Sequence, residues 1–468
     1  MNTDCWLLVL GHLPPGERGP CRLVSRQWCQ LIDYLSFNQK CLHFYSSEQN
    51  YFSSVEPGQV GKTSPSGHHF RWPHCNINYS EFVRIFSQYP KLKELLFCGF
   101  THWNDHHLIR LTEFCRSIES LSFYSCPHLG ENYFNDFGFQ NLTVIGWQNV
   151  AQQYGTTLRT LILEDCDLEN YHLGLIVESF RSLVHLNLAN NSDITNFSPL
   201  TGLSSTVETL KLGPKLSVDC KKNQALYNHE MPVEFIVTGS GSANIRTLQL
   251  QGILTQKLSR LHHLPKLEHL IVKYASFSAV EDIFSLEVEI LTSAAAKMKQ
   301  LRKLDLYQVN QSSSIDLHWL RQRLSTVSVS SHLKSNLPHL NSFSLHSTSP
   351  LVVVDQFRLV DFVLASTPNL TTFSLSCATP FDSDSLQHYN LNQTILVLLQ
   401  KYGSKLVHLK LENLFPAGLF SYLAYVVLSS PLLTSFTMDD REVLPFLYCL
   451  DMQVDQLMTN GKCTRNER

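Results

Sequence analysis

The sequence predicts an α/β fold in which one strand-plus-helix unit repeats along most of the chain, behind a small all-α amino-terminal unit. Three observations carry that reading. The spacing Leu-x-x-Leu-x-Leu, with Ile, Val, Phe or Met substituting, recurs from Leu92 to Met438. Between copies, apolar residues fall at three- and four-residue steps, the period of a helix with one buried face. Residues 1–45 lack the repeat and carry two helical patterns of their own. On this basis the chain divides into a helical unit at 1–45, a linker and entry at 46–80, a repeat array at 81–445, and a carboxy-terminal cap and tail at 446–468.

In the amino-terminal unit, Trp6, Val9, Leu10 and Leu13 lie at helical steps, and so do Leu23, Val24, Trp28, Leu31 and Ile32. Pro14-Pro15 and Gly19-Pro20 separate the two patterns. Proline lacks an amide donor and pushes the residue before it out of the helical region, so a turn is expected there. A unit of under about 40 residues is marginal alone, and its apolar stripe calls for a partner surface. The stretch 46–67 is rich in Ser, Gly and Pro and reads as a tether.

The repeats begin at Leu92, Ile118, Leu158, Leu183, Val207, Ile245, Leu267, Leu301, Leu340, Leu370, Leu406 and Leu433. In each, the Leu-x-Leu pair alternates with period two and marks a short strand with one buried face. The leucine three residues earlier turns the chain into that strand. Cys126, Cys166 and Asn191 stand just past three of the strands. A buried Cys or Asn there is expected to satisfy loop backbone groups that no ladder reaches. Helices are expected at 149–154, 172–180 and 355–364. A weaker match at Leu142, Ile145 and Trp147 is too close to the next copy to be a full repeat. Long steps between copies put extra loops at 217–242 and 309–337.

No unit of this kind buries its apolar face alone. Stacking places a parallel sheet on a concave side and helices on a convex side. Residues 90 to 440 resemble the leucine-rich-repeat family in its cysteine-containing form, which implies a horseshoe-shaped solenoid. The stretch Leu23-Val-Ser-Arg-Gln-Trp-Cys-Gln-Leu-Ile32 resembles the Val-Cys-Arg-x-Trp-x-x-Leu helix of the F-box family. Val9-Leu10-Gly-His-Leu13 is similar to the ending of that family's first helix, while Asn2-Thr3 stand where its opening Leu-Pro would fall. The resemblance implies a subunit that recognises a protein substrate for a cullin-based ubiquitin ligase of the SCF type. The Skp adaptor would bind through Leu10, Leu13, Pro14, Val24 and Trp28, with the cullin scaffold beyond it. The alternative is a non-catalytic interaction scaffold whose amino-terminal helices only cap the array.

Side chains on the concave side are those between and just after the strand leucines. Tyr124, Glu164, His185, Lys273, Tyr274, Asp305, Tyr307 and Lys410 are the candidate substrate-binding residues. Their mixed charge suits a polypeptide partner better than a phosphate polymer, and tyrosine is enriched among binding anchors.

The 37 basic and 40 acidic residues give a formal charge of −3, without the cationic surplus that nucleic-acid binding requires. Hydrophobic residues at 43% supply a core and exclude a largely disordered chain. Thirteen cysteines are too sparse for a disulfide scaffold and suit a reducing compartment. Asp4 in the first ten residues opposes a signal peptide, and no apolar run reaches the roughly 20 residues of a spanning helix. A cytoplasmic or nuclear protein without a membrane partner is expected. Gly58-Gln-Val-Gly-Lys-Thr63 has Glu56 where a phosphate loop needs glycine. His102, His106 and His107 lack the second ligand pair of a structural zinc site. No metal, cofactor or catalytic residue is expected.

Overall fold

The structure, a computed structural model, describes residues 10, 21, 24–26, 28, 30–31, 35, 40–46, 68–72, 79–101, 103–126, 144–216, 232–252, 260–275, 298–309, 337–347, 360, 363–377, 399–400, 403–412, 423–424, 427–428 and 430–438. It forms two compact units. The first comprises Met1–Lys215 with His229–Ile245, and the second Leu216–Asn228 with Arg246–Arg468.

The described strands of the first unit are β1 (Cys41–Ser46), β2 (His68–Trp72), β3 (Glu94–Cys98), β4 (Ser120–Tyr124), β5 (Thr160–Glu164), β6 (His185–Ala189) and β7 (Thr209–Gly213). They lie parallel in the order β2-β1-β3-β4-β5-β6-β7. Those of the second unit are β8 (Thr247–Gln251), β9 (His269–Ala275), β10 (Lys303–Val309), β11 (Ser342–Ser347), β12 (Thr372–Cys377), β13 (His408–Glu412) and β14 (Ser435–Thr437). These are parallel in chain order.

The register equates each repeat with the next. Leu42 pairs with Leu95, Leu95 with Leu121, Leu121 with Leu161, and Leu161 with Leu186. In the second unit Leu270 pairs with Leu304, Leu304 with Phe343, and Phe343 with Phe373. These columns are buried, as the Leu-x-Leu alternation requires. At the entries of β3 to β7 and of β9 to β14, one carbonyl of the preceding repeat accepts two successive amides. Lys40 O accepts from Lys93 and Glu94, Lys93 O from Glu119 and Ser120, and Arg302 O from Asn341 and Ser342, all at 2.8–3.0 Å.

Four helices of the first unit are α1 (Tyr79–Phe86), α2 (Asp105–Phe114), α3 (Val144–Tyr154) and α4 (Asn170–Ser179). A short helix α5 (Pro232–Thr238) lies in the second of the unit's two chain segments. Their aromatic side chains meet the buried strand face. Phe44, Phe97 and Phe123 stack in one column at 5.3 and 5.4 Å, with Phe86, Trp103 and Trp147 packed against it from the helix side. Tyr154 of α3 donates its hydroxyl to the carbonyls of Leu111 and Cys115 at the end of α2, where Leu111 O also accepts the Cys115 amide. Gly155 allows α3 and α4 to meet end to end: a Cβ there would lie 2.5 Å from Ala151 O and 2.6 Å from Ser179 O.

The residues just past the strands act as the sequence led us to expect. The Cys126 thiol donates to the carbonyls of Phe97 and Tyr124, and the Cys166 thiol to those of Phe123 and Glu164. Asn191 is the fullest case. Its Oδ1 accepts from the amides of Cys166 and Leu168, and its Nδ2 donates to the carbonyls of Leu163, Leu188 and Ala189. It sits after Asn190, whose φ of 65° turns the chain out of the strand.

Three expectations change. The sheet begins at Cys41, inside the segment assigned to the helical unit, because Leu42 and Phe44 extend the buried columns. Residues 68–72, within the linker and entry segment, form a strand beside it. The weak match at Ile145 and Trp147 is helix α3, since Trp147, Val150, Ala151 and Tyr154 repeat at helical steps and are buried. The phosphate-loop-like segment 58–63, most of the 46–67 stretch, His102 and the 446–468 tail lie outside the described residues.

His107, considered as a ligand, is a helix cap instead, and His172 caps its own helix in the same way. His107 Nδ1 accepts from the amide of Asn104 and His172 Nδ1 from that of Glu169, each three residues into its helix. Burial lowers the pKa of His172 to about 4.

Two predictions arise here. Asn191→Ala leaves buried Cys166 and Leu168 amides unpaired and lowers unfolding free energy by about 3 kcal/mol; urea denaturation checks this. Folded His172 refuses a proton that the unfolded chain accepts below about pH 6.5. Its contribution is therefore intact above about pH 6.5 and shrinks as pH falls towards about 4, by about 3 kcal/mol at most. The urea midpoint should drop more steeply between pH 7 and 4.5 for the wild type than for His172→Gln.

Candidate functional site

The amino-terminal unit offers one candidate surface. Leu10 is 1% exposed and packs with Leu31, and Cys21, Trp28 and Leu35 lie against this pair. Ser25 Oγ accepts the Trp28 amide at 3.1 Å, which starts the second helical pattern. Val24 is 63% exposed. The candidate adaptor-binding set therefore divides. Leu10 is corrected to a core residue, because the two helical patterns bury it between themselves. Val24 and the half-buried Trp28 remain reachable, and Leu13 and Pro14 lie outside the described residues.

The second candidate surface is the sheet face opposite the helices. In the first unit Tyr124 and Glu164 are register neighbours on β4 and β5. Glu164 accepts from Asn187 Nδ2 at 2.7 Å and from Asn190 Nδ2 at 3.0 Å, which fixes its carboxylate. Burial, and then the Glu164 carboxylate, push the Tyr124 phenol above its usual range, so it stays a donor. His185 is exposed at the start of β6. Asp165 is held by Lys215 Nζ at 2.7 and 2.9 Å and by Ser125 Oγ at 3.0 Å.

In the second unit the face is organised around β10. Asp305 Oδ2 lies 2.7 Å from His269 Nε2 and 3.0 Å from Lys303 Nζ. Burial opposes ionisation of this carboxyl, but the hydrogen bonds and charges of His269 and Lys303 outweigh it and hold the pKa below its ordinary value. Two strand positions on, Tyr307 stacks on His346 at 4.3 Å and 12°, with Lys273 Nζ 5.3 Å above the tyrosine ring. His346 hydrogen-bonds Ser376. Lys410, on β13, pairs with Glu412 at 3.0 Å.

The structure thus gathers Lys273, Tyr307 and His346 in one row, Asp305 in the outward row before it, and His269 and Lys303 in the row before that. Tyr274 is a correction. It is 1% exposed, because β9 continues past its second core residue and period two returns position 274 to the side of Leu270 and Val272. Asp305 faces outward yet is only 4% exposed, covered by its own ion partners. Such a face can present hydrogen bonds, fixed charge and a cationic–aromatic stack to a polypeptide. No cluster of three or more His, Cys, Asp or Glu among the described residues is arranged to hold a metal. No described helix is long and apolar enough to cross a membrane.

Residues 1–40 match the family model of the F-box domain. Among curated proteins, none matches the chain. Among solved structures, the chain is similar to one in the crystal structure of the Rad7 and Elc1 complex in yeast, at 15% identity and a TM-score of 0.39, covering 77% of this chain and 78% of that one. It is also similar to one in the TLR13–ssRNA13 complex, at 12% identity and a TM-score of 0.24, covering 78% of this chain and 63% of that one.

The division of the amino-terminal set is testable. Leu10→Ala should cost about 2–5 kcal/mol of stability, whereas Val24→Ala should stay within about 0.5 kcal/mol of wild type. Thermal melts of both variants, read against each other, check the assignment.

Proposed function

We propose that the chain is the substrate-recognition subunit of a cullin-based, SCF-type ubiquitin ligase. The F-box match at residues 1–40 is the observation that carries this reading. The helical unit docks the Skp adaptor through Val24 and Trp28, together with Leu13 and Pro14, and the cullin scaffold attaches through the adaptor. The repeats form a leucine-rich-repeat solenoid, curved as a horseshoe, and hold a protein substrate on the sheet face that carries Tyr124, Glu164, His185, Lys273, Asp305, Tyr307 and Lys410. The chain contributes no catalytic group. It acts by proximity, turning a bimolecular encounter into a nearly intramolecular one. The cytoplasm or nucleus is its place of action.

Support for the docking role comes from exposure: Val24 is an apolar side chain left 63% open beside a half-buried tryptophan. Aromatic anchors next to such positions dominate binding energy. Support for the substrate face comes from the Lys273–Tyr307–His346 stack, whose mixed chemistry matches that of protein interfaces.

Co-purification of the full chain with the Skp adaptor is the test. Trp28→Ala should weaken adaptor binding by about 2 kcal/mol or more, roughly 30-fold. Val24→Glu should do the same without lowering the melting temperature. Failure of the wild-type chain to retain the adaptor at micromolar concentration would favour the scaffold whose helices only cap the repeats.

A further inference from the structure

The strand-entry turns of the second unit enclose a depression that neither the sheet face nor the helical unit shares. The turns before β10, β11 and β12 line about 260 Å³ of space. Lys299 and Arg302 come from the first turn, His339 and Asn341 from the second, and Asn369 from the third, with Gln300 beside Lys299. Among the described residues that line it, the one apolar contribution is the ring of Pro338, and none is a carboxylate.

Charge balance sets this place apart. Among the described residues, neither Lys299 nor Arg302 makes an ion pair. The carboxylate nearest along the strand-entry row, Glu268, is bound to Arg246 on the far side at 2.7 Å. On the other side the row continues with Asn341, Thr371, Val407 and Thr434, all uncharged. Two cations three residues apart thus face a neutral, donor-rich wall.

The wall is also built rather than loose. Asn341 N donates to Arg302 O at 2.9 Å, tying the second turn to the first. Asn369 Nδ2 donates to Pro338 O at 2.7 Å, tying the third to the second. Leu337 N donates to Ser366 O at 2.9 Å behind them. The turns that carry the donors are therefore tied to one another before any ligand arrives, which lowers the ordering cost of binding.

We propose that this depression binds a single phosphate monoester. A guanidinium fork and a point-charge ammonium are the two side chains best suited to a tetrahedral oxyanion, and the side-chain amides of Gln300 and Asn341 and the His339 ring add donors. The space is smaller than the roughly 300–1,000 Å³ of pockets for drug-sized ligands, and its lining offers almost nothing to an apolar group. A phosphate polymer is excluded by the uncharged continuation of the row, which gives successive phosphates no partner. The proposal stands independently of the adaptor reading, because it uses none of the same residues.

The test is calorimetric titration of the full chain, at constant ionic strength in chloride, with inorganic phosphate and separately with a peptide carrying one phosphoserine. One phosphate should bind per chain. Lys299→Gln and Arg302→Gln should each weaken binding at least about tenfold, while Lys91→Gln, an exposed cation far along the chain, should leave it unchanged. All three positions are exposed, so unaltered melting curves will show that folding is intact. A phosphopeptide that binds at least about tenfold more tightly than phosphate identifies a polypeptide as the source of the group; equal affinities identify a small phosphorylated molecule. Dissociation constants weaker than about 1 mM for both probes, or binding untouched by both substitutions, would overturn the proposal.

Discussion

The rest of the structure depends on the register between neighbouring repeats. A carbonyl at the end of one strand-entry turn accepts two amides of the next, so no strand can slide along its neighbour without losing both bonds. Zero offset then stacks leucine on leucine beneath the sheet and places chemically unrelated side chains in rows above it. The core and the candidate binding face are consequences of the same constraint. One is filled by a repeated residue type, and the other is free to differ at every step.

That freedom has a limit set by spacing. Strands about 4.8 Å apart crowd their outward side chains, and a short residue is covered by longer ones on either side. Ser344 and Ser374 are nearly closed off although they face away from the core, and Asp305 is sealed by His269 and Lys303. Position on the outward face therefore does not guarantee access. The accessible groups are the long ones, Lys273, Tyr307 and Lys410, and those at strand starts such as His185.

Much of this was legible in the sequence because it rests on period two and on one fixed spacing. The buried columns, the helices at Tyr154 and His172, and the roles of Cys126, Cys166 and Asn191 all follow from positions counted along the chain. What escaped depends on lengths and partners that spacing does not encode. Tyr274 was read as outward because it stands just after the Leu-x-Leu pair, but β9 runs on to Ala275 and period two returns position 274 to the core side. Residues 41–45 were read with the helices because their only signal, Leu42 and Phe44, becomes a strand when β3 supplies a ladder. Leu10 looked like a docking residue because an apolar stripe does not reveal whether its own neighbour will cover it. Lys299, Arg302 and His339 drew no attention, since they occupy turns and converge only when three repeats stack.

The shared carbonyl at the strand entries also bears on how such a chain can change over generations. The next strand is positioned by that bond and not by the length of peptide leading to it. Steps of 25 residues (158 to 183) and 39 residues (301 to 340) accordingly end in the same alignment. Segments between strands can lengthen or shorten by insertion or deletion while the rows on the sheet keep their order. The fold thus separates what heredity must hold constant from what it can vary, and new contact chemistry can accumulate in the connecting peptide without disturbing the frame that presents the old.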